Sequence, residues 1–166
     1  MADRALANLS ASVLPDNIKS RLSGVLSYTP GSKISATAGT EGWIYIEAPA
    51  TSSSTNVMTS SHEWVGTSIP IADGDLVRWI CIEHTGTTDG TTKTQEGVII
   101  GLNHAAGYDA EEMILIEPNE MIVLKIPLTE VHEVFFRTCT VAGGVPQANG
   151  SADAMLKIAA IVNNIS

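Results

Sequence analysis

From Trp43 onward the chain is a succession of short runs rich in Val, Ile, Thr and aromatic residues, each closed off by Gly, Pro, Asn or Asp. β-Branched and aromatic side chains suit a pleated, half-buried surface, so such runs predict strands. The first spans Trp43 to Glu47. Asp75 to Thr85 and Glu96 to Asn103 are expected to form a long pair around the Thr- and Gly-rich tip that holds Asp89-Gly90. Met113 to Glu117 and Met121 to Ile126 are expected to pair across the tight turn Pro118-Asn119-Glu120, whose proline presets the backbone angle. Val131 to Val141 adds another strand. Ala154 to Asn163 fits two periods: Leu156, Ile158, Ala160 and Val162 alternate, while Met155, Ile158, Ile161 or Val162 and Ile165 also share one helical stripe. Its β-branched content, and the loop-like Gly143-Gly144-Val145-Pro146 to Gly150 before it, favour a strand. Seven or eight antiparallel strands in about 125 residues point to an all-β fold, a β-sandwich or jelly roll.

Residues 1–40 read differently, as an N-terminal arm and linker ahead of the β-sandwich body at 41–166. Leu6, Leu9 and Val13 recur at intervals of three and four, which predicts a short helix. Pro15 stops or restarts it, and Asp16, Asn17, Ile18 and Leu22 suit a second short turn with Pro15 at its first position. Tyr28, Pro30, Gly31, Ser32, Gly39 and Thr40 then read as linker or extended strand. So few apolar residues cannot make a core of their own, and such a segment orders by docking on something else.

Charge divides the chain at the same place. The arm carries Arg4, Lys19, Arg21 and Lys33 against Asp3 and Asp16, a formal +2; the body holds five basic and sixteen acidic side chains, a formal −11. An acidic body disfavours a phosphate backbone as partner, because nonspecific nucleic-acid affinity rests on Lys and Arg displacing counterions. The longest apolar stretches, 121–128 and 154–162, are too short to span a bilayer as helices, and no apolar run of secretory length follows Met1. The expectation is a soluble protein made in a cytoplasm. At 166 residues the chain can bury about two-thirds of its unfolded surface without staples. Cys81 and Cys139 lack metal-ligand spacing and sit in strand-like runs, so both are expected as reduced, buried thiols.

No motif specifies a reaction. Glu83, His84, His104, Asp109, Glu111 and Glu112 offer imidazole and carboxylate ligands, but the paired histidines of a cupin are absent and a hydrogen-bonded His84 is the plainer reading. Asp73-Gly74-Asp75 lacks the alternating acids of a calcium loop and reads as a turn into the next strand. There is no nucleophile elbow or phosphate loop, and Glu111 and Glu112, being adjacent, would face opposite sides of a strand. No catalytic residue, cofactor or metal ligand is therefore assigned. Trp43, Trp64 and Trp79 are the only large flat side chains. Two of them exposed on one sheet face could stack on sugars; core packing, with Val77, Trp79 and Cys81 sharing a face, is the simpler expectation.

Several stretches carry a likeness. Pro70-Ile71-Ala72-Asp73-Gly74-Asp75 leads into a strand and Glu83-His84-Thr85-Gly86-Thr87 closes it; Glu96-Gly97-Val98-Ile99-Ile100 returns, and Ile116-Glu117-Pro118-Asn119-Glu120 makes the next turn. With the arm and the acidic, small-residue body, this resembles the decoration or cement proteins on the outer surface of tailed-bacteriophage capsids. The likeness is one of texture over about a third of the chain. It implies a homotrimeric structural protein of the virion that clamps neighbouring subunits of the major capsid protein. In that picture Leu6, Leu9, Val13, Leu14, Ile18 and Leu22 of the arm dock on a capsid or sister subunit. A carbohydrate-binding module or a fibre or receptor-binding component of a virion is the alternative, and a cupin-like metalloenzyme using His84 or His104 a third.

Overall fold

The computed structural model describes residues 5–8, 25–28, 41–65, 68–102, 114–126 and 129–163. Its strands are β1 (Ala5–Asn8), β2 (Val25–Tyr28), β3 (Glu41–Ala50), β4 (Leu76–His84), β5 (Gly97–Leu102), β6 (Ile114–Ile116), β7 (Met121–Leu124), β8 (Thr129–Glu130), β9 (Val134–Ala142), β10 (Val145–Asn149) and β11 (Ala154–Asn163). The body is two antiparallel sheets: β3-β11-β4-β7, with β8 also on β4, and β10-β9-β5-β6. Between them Ile44, Ile46, Ile80, Ile82, Leu156 and Ile158 of the first sheet meet Val98, Ile100, Ile116, Val134 and Phe136 of the second, all buried. The expected all-β sandwich is what the chain forms.

The ambiguous C-terminal run is a strand, and it is the spine of the larger sheet. β11 pairs with β3 from Ala154↔Ala50 to Asn163↔Glu41 and with β4 on its other side. Burial on both faces explains why the run looked helical: Ile158, Ala160 and Val162 face the core, while Ile161 is covered on the opposite side.

Two expected hairpins are instead crossings between sheets. β4 and β5 lie in different sheets, as do β6 and β7. Strand alternation is the same for a hairpin as for a crossing, so the pattern could not separate them. The hairpin at this end is β9–β10, closed by Gly143 and Gly144 at φ of +62° and +75°, the left-handed geometry that a tight hairpin turn requires. Residues 145–149, expected as part of the loop from Gly143 to Gly150, are the edge strand β10. The run from Val131 starts as a short 3₁₀ turn, Val131–Glu133, before β9.

Within the arm, β1 and β2 pair only with each other, from Ala5↔Tyr28 to Asn8↔Val25. At 5–8 the backbone is extended where a helix was expected. Leu6 falls in this strand; Leu9, Val13, Leu14, Ile18 and Leu22 lie outside the described residues.

Candidate functional site

The outer face of the larger sheet is organised in rows by register. Trp43, Ile161 and Trp79 form the first row; Tyr45, Ala159, Cys81 and Val123 the second; Glu47, Lys157, Glu83 and Met121 the third. A β-bulge makes this possible. Ile161 pairs with Trp79 but Val162 with Val77, so Arg78 is an extra residue and the strand changes face across it. Val77 thus points into the sandwich while Trp79 and Cys81 point out, which corrects the expectation that the three share a face.

The two indoles meet edge to face, centroids 5.8 Å apart and planes at 79°. Flanking the central strand, they close over Ile161, which is 0% exposed; Trp79 is only 6% exposed. Trp64 is in the sandwich core. The tryptophans therefore seal the fold, and the edge-on pair offers no flat platform for a sugar ring. Tyr45, one row down, is 51% exposed, and its hydroxyl donates to Glu47 Oε1 at 2.5 Å. That bond to a carboxylate, which needs the phenol protonated, raises the tyrosine's pKa.

Below the third row lies an open cleft of about 440 Å³ between Glu47, Glu83, Lys157 and the loop residues Thr85, Thr87 and Asp89. Asp89 organises this loop: its carboxylate accepts from the backbone N–H and hydroxyl groups of Thr91 and Thr92. Four donors on one exposed carboxylate hold it well below the usual carboxylate range. Three of the four bonds fall on Oδ1 and one on Oδ2, all within the turn.

His84, at the end of β4, is fully buried. Gly86 N–H donates to Nδ1 at 3.0 Å, so Nδ1 is the unprotonated nitrogen and Nε2–H donates to the Glu96 carbonyl at 2.9 Å. Burial pushes its pKa down. Both nitrogens are committed to backbone, so the ring is a structural tie between β4 and the start of β5. Gly86 sits at φ +73° with Asn119 against it, and the Asn119 N–H donates to the His84 carbonyl at 2.9 Å. This knot fixes the two crossings to each other. Glu96 extends it, its Oε1 accepting from the Ser151 N–H and hydroxyl at 3.0 and 2.8 Å.

No group of three or more potential metal ligands occurs among the described residues. His104, Asp109, Glu111 and Glu112 lie outside them. Asp75 is buried and its Oδ2 accepts from the Ala72 N–H at 2.9 Å, the local turn role expected of it. Cys81 and Cys139 are free thiols. Burial raises the pKa of both, with Glu83 adding to it for Cys81, and pushes Cys139 up to about 11 with help from Glu96 and Glu117. Neither is an activated nucleophile. No family model, curated protein or solved structure matches the chain. Among the described residues no helix is long and apolar enough to cross a membrane.

What remains available for recognition is the upper edge of β3. Trp43 C=O accepts from the Val65 N–H at 2.8 Å on the side away from β11. Backbone groups of alternate residues point the same way, so Tyr45 and Glu47 also direct N–H and C=O outward. Among the described residues nothing pairs with them. Three of the five exposed large hydrophobic side chains among the described residues, Tyr45, Val65 and Ile69, flank this edge. The sequence signal was present in the position of Pro49: its outward phase, shared with Tyr45 and Glu47, is the one at which an edge strand tolerates proline.

Proposed function

We propose that this chain is a structural protein of a tailed-phage virion, a decoration protein that sits on the outer surface of the shell as a homotrimer and stabilises it. Its arm grips the major capsid protein or a sister subunit through Leu6, Leu9, Val13, Leu14, Ile18 and Leu22. The observation that carries the reading is the division of labour in the chain. A sandwich with a formal charge of −11 follows a +2 arm whose described strands pair only with each other. The buried His84 and the raised thiol pKa values support a scaffolding role over a catalytic one. The edge-on tryptophans count against sugar stacking.

Burying the six arm side chains offers about 9 to 18 kcal/mol per arm before ordering costs, at about 1.5 to 3 kcal/mol each. The test is cosedimentation with empty phage shells, followed by shell melting. Saturable binding and a raised shell melting temperature are expected, and Leu9→Asp should weaken binding by about 10- to 150-fold per arm. Binding that survives removal of residues 1–26 unchanged would refute the arm's role. A chain that neither binds nor stabilises any shell would refute the reading.

A further inference from the structure

We propose that the outer edge of β3 receives the N-terminal arm of a second copy of this chain, which adds to the five-stranded sheet as a further strand. Three observations meet there. The first is an open backbone edge. Tyr45 and Glu47 present two donors and two acceptors away from β11, bounded on one side by the Val65–Trp43 bond and on the other by Pro49, which has no N–H to give. An unpaired edge is a template for strand addition, and these bounds limit it to the stretch from Ile44 to Ala48.

The second is an incomplete partner. β1 and β2 form a ladder four residues long on each strand, joined to neither sheet of the body. A lone two-stranded ladder is marginal in water, and among the described residues no third strand joins it. Among the described residues, the arm strands β1 and β2 do not pair with this edge. The third is complementarity. Tyr45, Val65 and Ile69 offer exposed apolar surface beside the edge, and Glu47 and Glu83 stand in the row below. The arm brings apolar side chains at Leu6, Leu9 and Val13 and positive charge at Arg4, Lys19, Arg21 and Lys33. Two bodies each carrying −11 repel, which disfavours direct β3-to-β3 pairing and favours the arm as occupant.

The inference concerns contact between copies and stands apart from the shell reading, which fails or survives on capsid binding. The full chain is compared with Glu47→Pro, which removes an outward N–H and, like Pro49, leaves every β11 bond in place. Light scattering should give an oligomer for the natural chain and 17.5 kDa for the variant, with unchanged near-UV circular dichroism. In the natural chain the Tyr45 and Glu47 amides should exchange at least about tenfold more slowly than in a dilute, dissociated sample. Carbodiimide cross-linking of mixed isotope-labelled and unlabelled copies should join an arm lysine of one copy to a body carboxylate of another. A monomeric natural chain, or an oligomer with both amides exchanging freely, overturns the proposal. So do cross-links that join only body to body. If Glu47→Pro fails to fold, amide exchange and cross-linking in the natural chain decide the matter.

Discussion

Replacing Ile161 with alanine tests whether the indole pair is a second, outward-facing core. Ile161 is on the outer face of the larger sheet, where an ordinary substitution away from any packed feature changes stability by about 0.5 kcal/mol or less. Yet it is 0% exposed, with Trp43 and Trp79 packed edge to face across it. Truncation removes three buried carbons, about 2.4 kcal/mol of transfer free energy at about 0.8 each. The rings are tied to neighbouring strands and cannot fully collapse into the gap, so a cavity cost adds to this. The expected loss is about 2.5 to 4 kcal/mol, within the range for buried Ile-to-Ala changes. Urea unfolding followed by tryptophan fluorescence reads it as a lowered midpoint at constant slope, and thermal unfolding as a fall of about 5 to 16 °C. The milder Ile161→Val should cost about 0.5 to 1.5 kcal/mol. A loss below about 1 kcal/mol for Ile161→Ala would refute the argument that the indoles seal this face.

Two further outcomes follow from the titratable groups. Burial lowers the pKa of His84 from an unfolded value of 6.5, so folding favours the neutral ring; its contribution is complete above pH 6.5 and is lost as pH falls through the folded value. NMR titration should find the His84 pKa below 6.5, and the urea midpoint should decline as pH falls below 6.5; titration at or above 6.5 would contradict the geometry. Cys139, at a pKa of about 11 and buried, should resist a thiol reagent at pH 8 in the native state, with Cys81 also slow, and both should react at once in denaturant. Rapid native labelling of Cys139 would show that its strand opens locally.

Most strands of the body were legible, β10 and the arm's β1 excepted, because β-branched residues in short runs have few alternatives, and this holds even for Ala154–Asn163 once burial on both faces is allowed for. Partnership was not legible. Thr85 to Gln95 and Pro118 to Glu120 carry turn chemistry that serves a hairpin and a sheet-to-sheet crossing equally. Only the long-range pairing, β4 with β11 and β7 but β5 with β9 and β6, distinguishes the two. The bulge at Arg78 was hidden for a related reason. Val77, Trp79, Ile80, Cys81 and Ile82 are apolar on both sides of the strand, so a one-residue change of phase leaves no break in the pattern. At the candidate interaction edge, Pro49 was readable as a mark of an outer strand. Which backbone groups stay open depends on the register with β11, which no local pattern encodes.

Both outer faces of the sandwich are closed by their own side chains. Trp43 and Trp79 cover Ile161 on one; on the other, Ile99 and Cys139 are buried beneath Leu115, Phe135 and Val141. A face sealed in this way has little further apolar area to give a partner, so large face-to-face association is not where this body gains binding energy. The arm is in the opposite position: it has apolar side chains, and among the described residues its two-stranded ladder has no third strand. A partner that supplies a backbone edge flanked by apolar side chains satisfies both needs at once, and β3 of another copy has that form. Strand addition of this kind contributes hydrogen bonds of about 0.5 to 1.5 kcal/mol each, so its strength depends on several arms engaging together. That is the arithmetic a repeating lattice favours: weak single contacts, added over many copies.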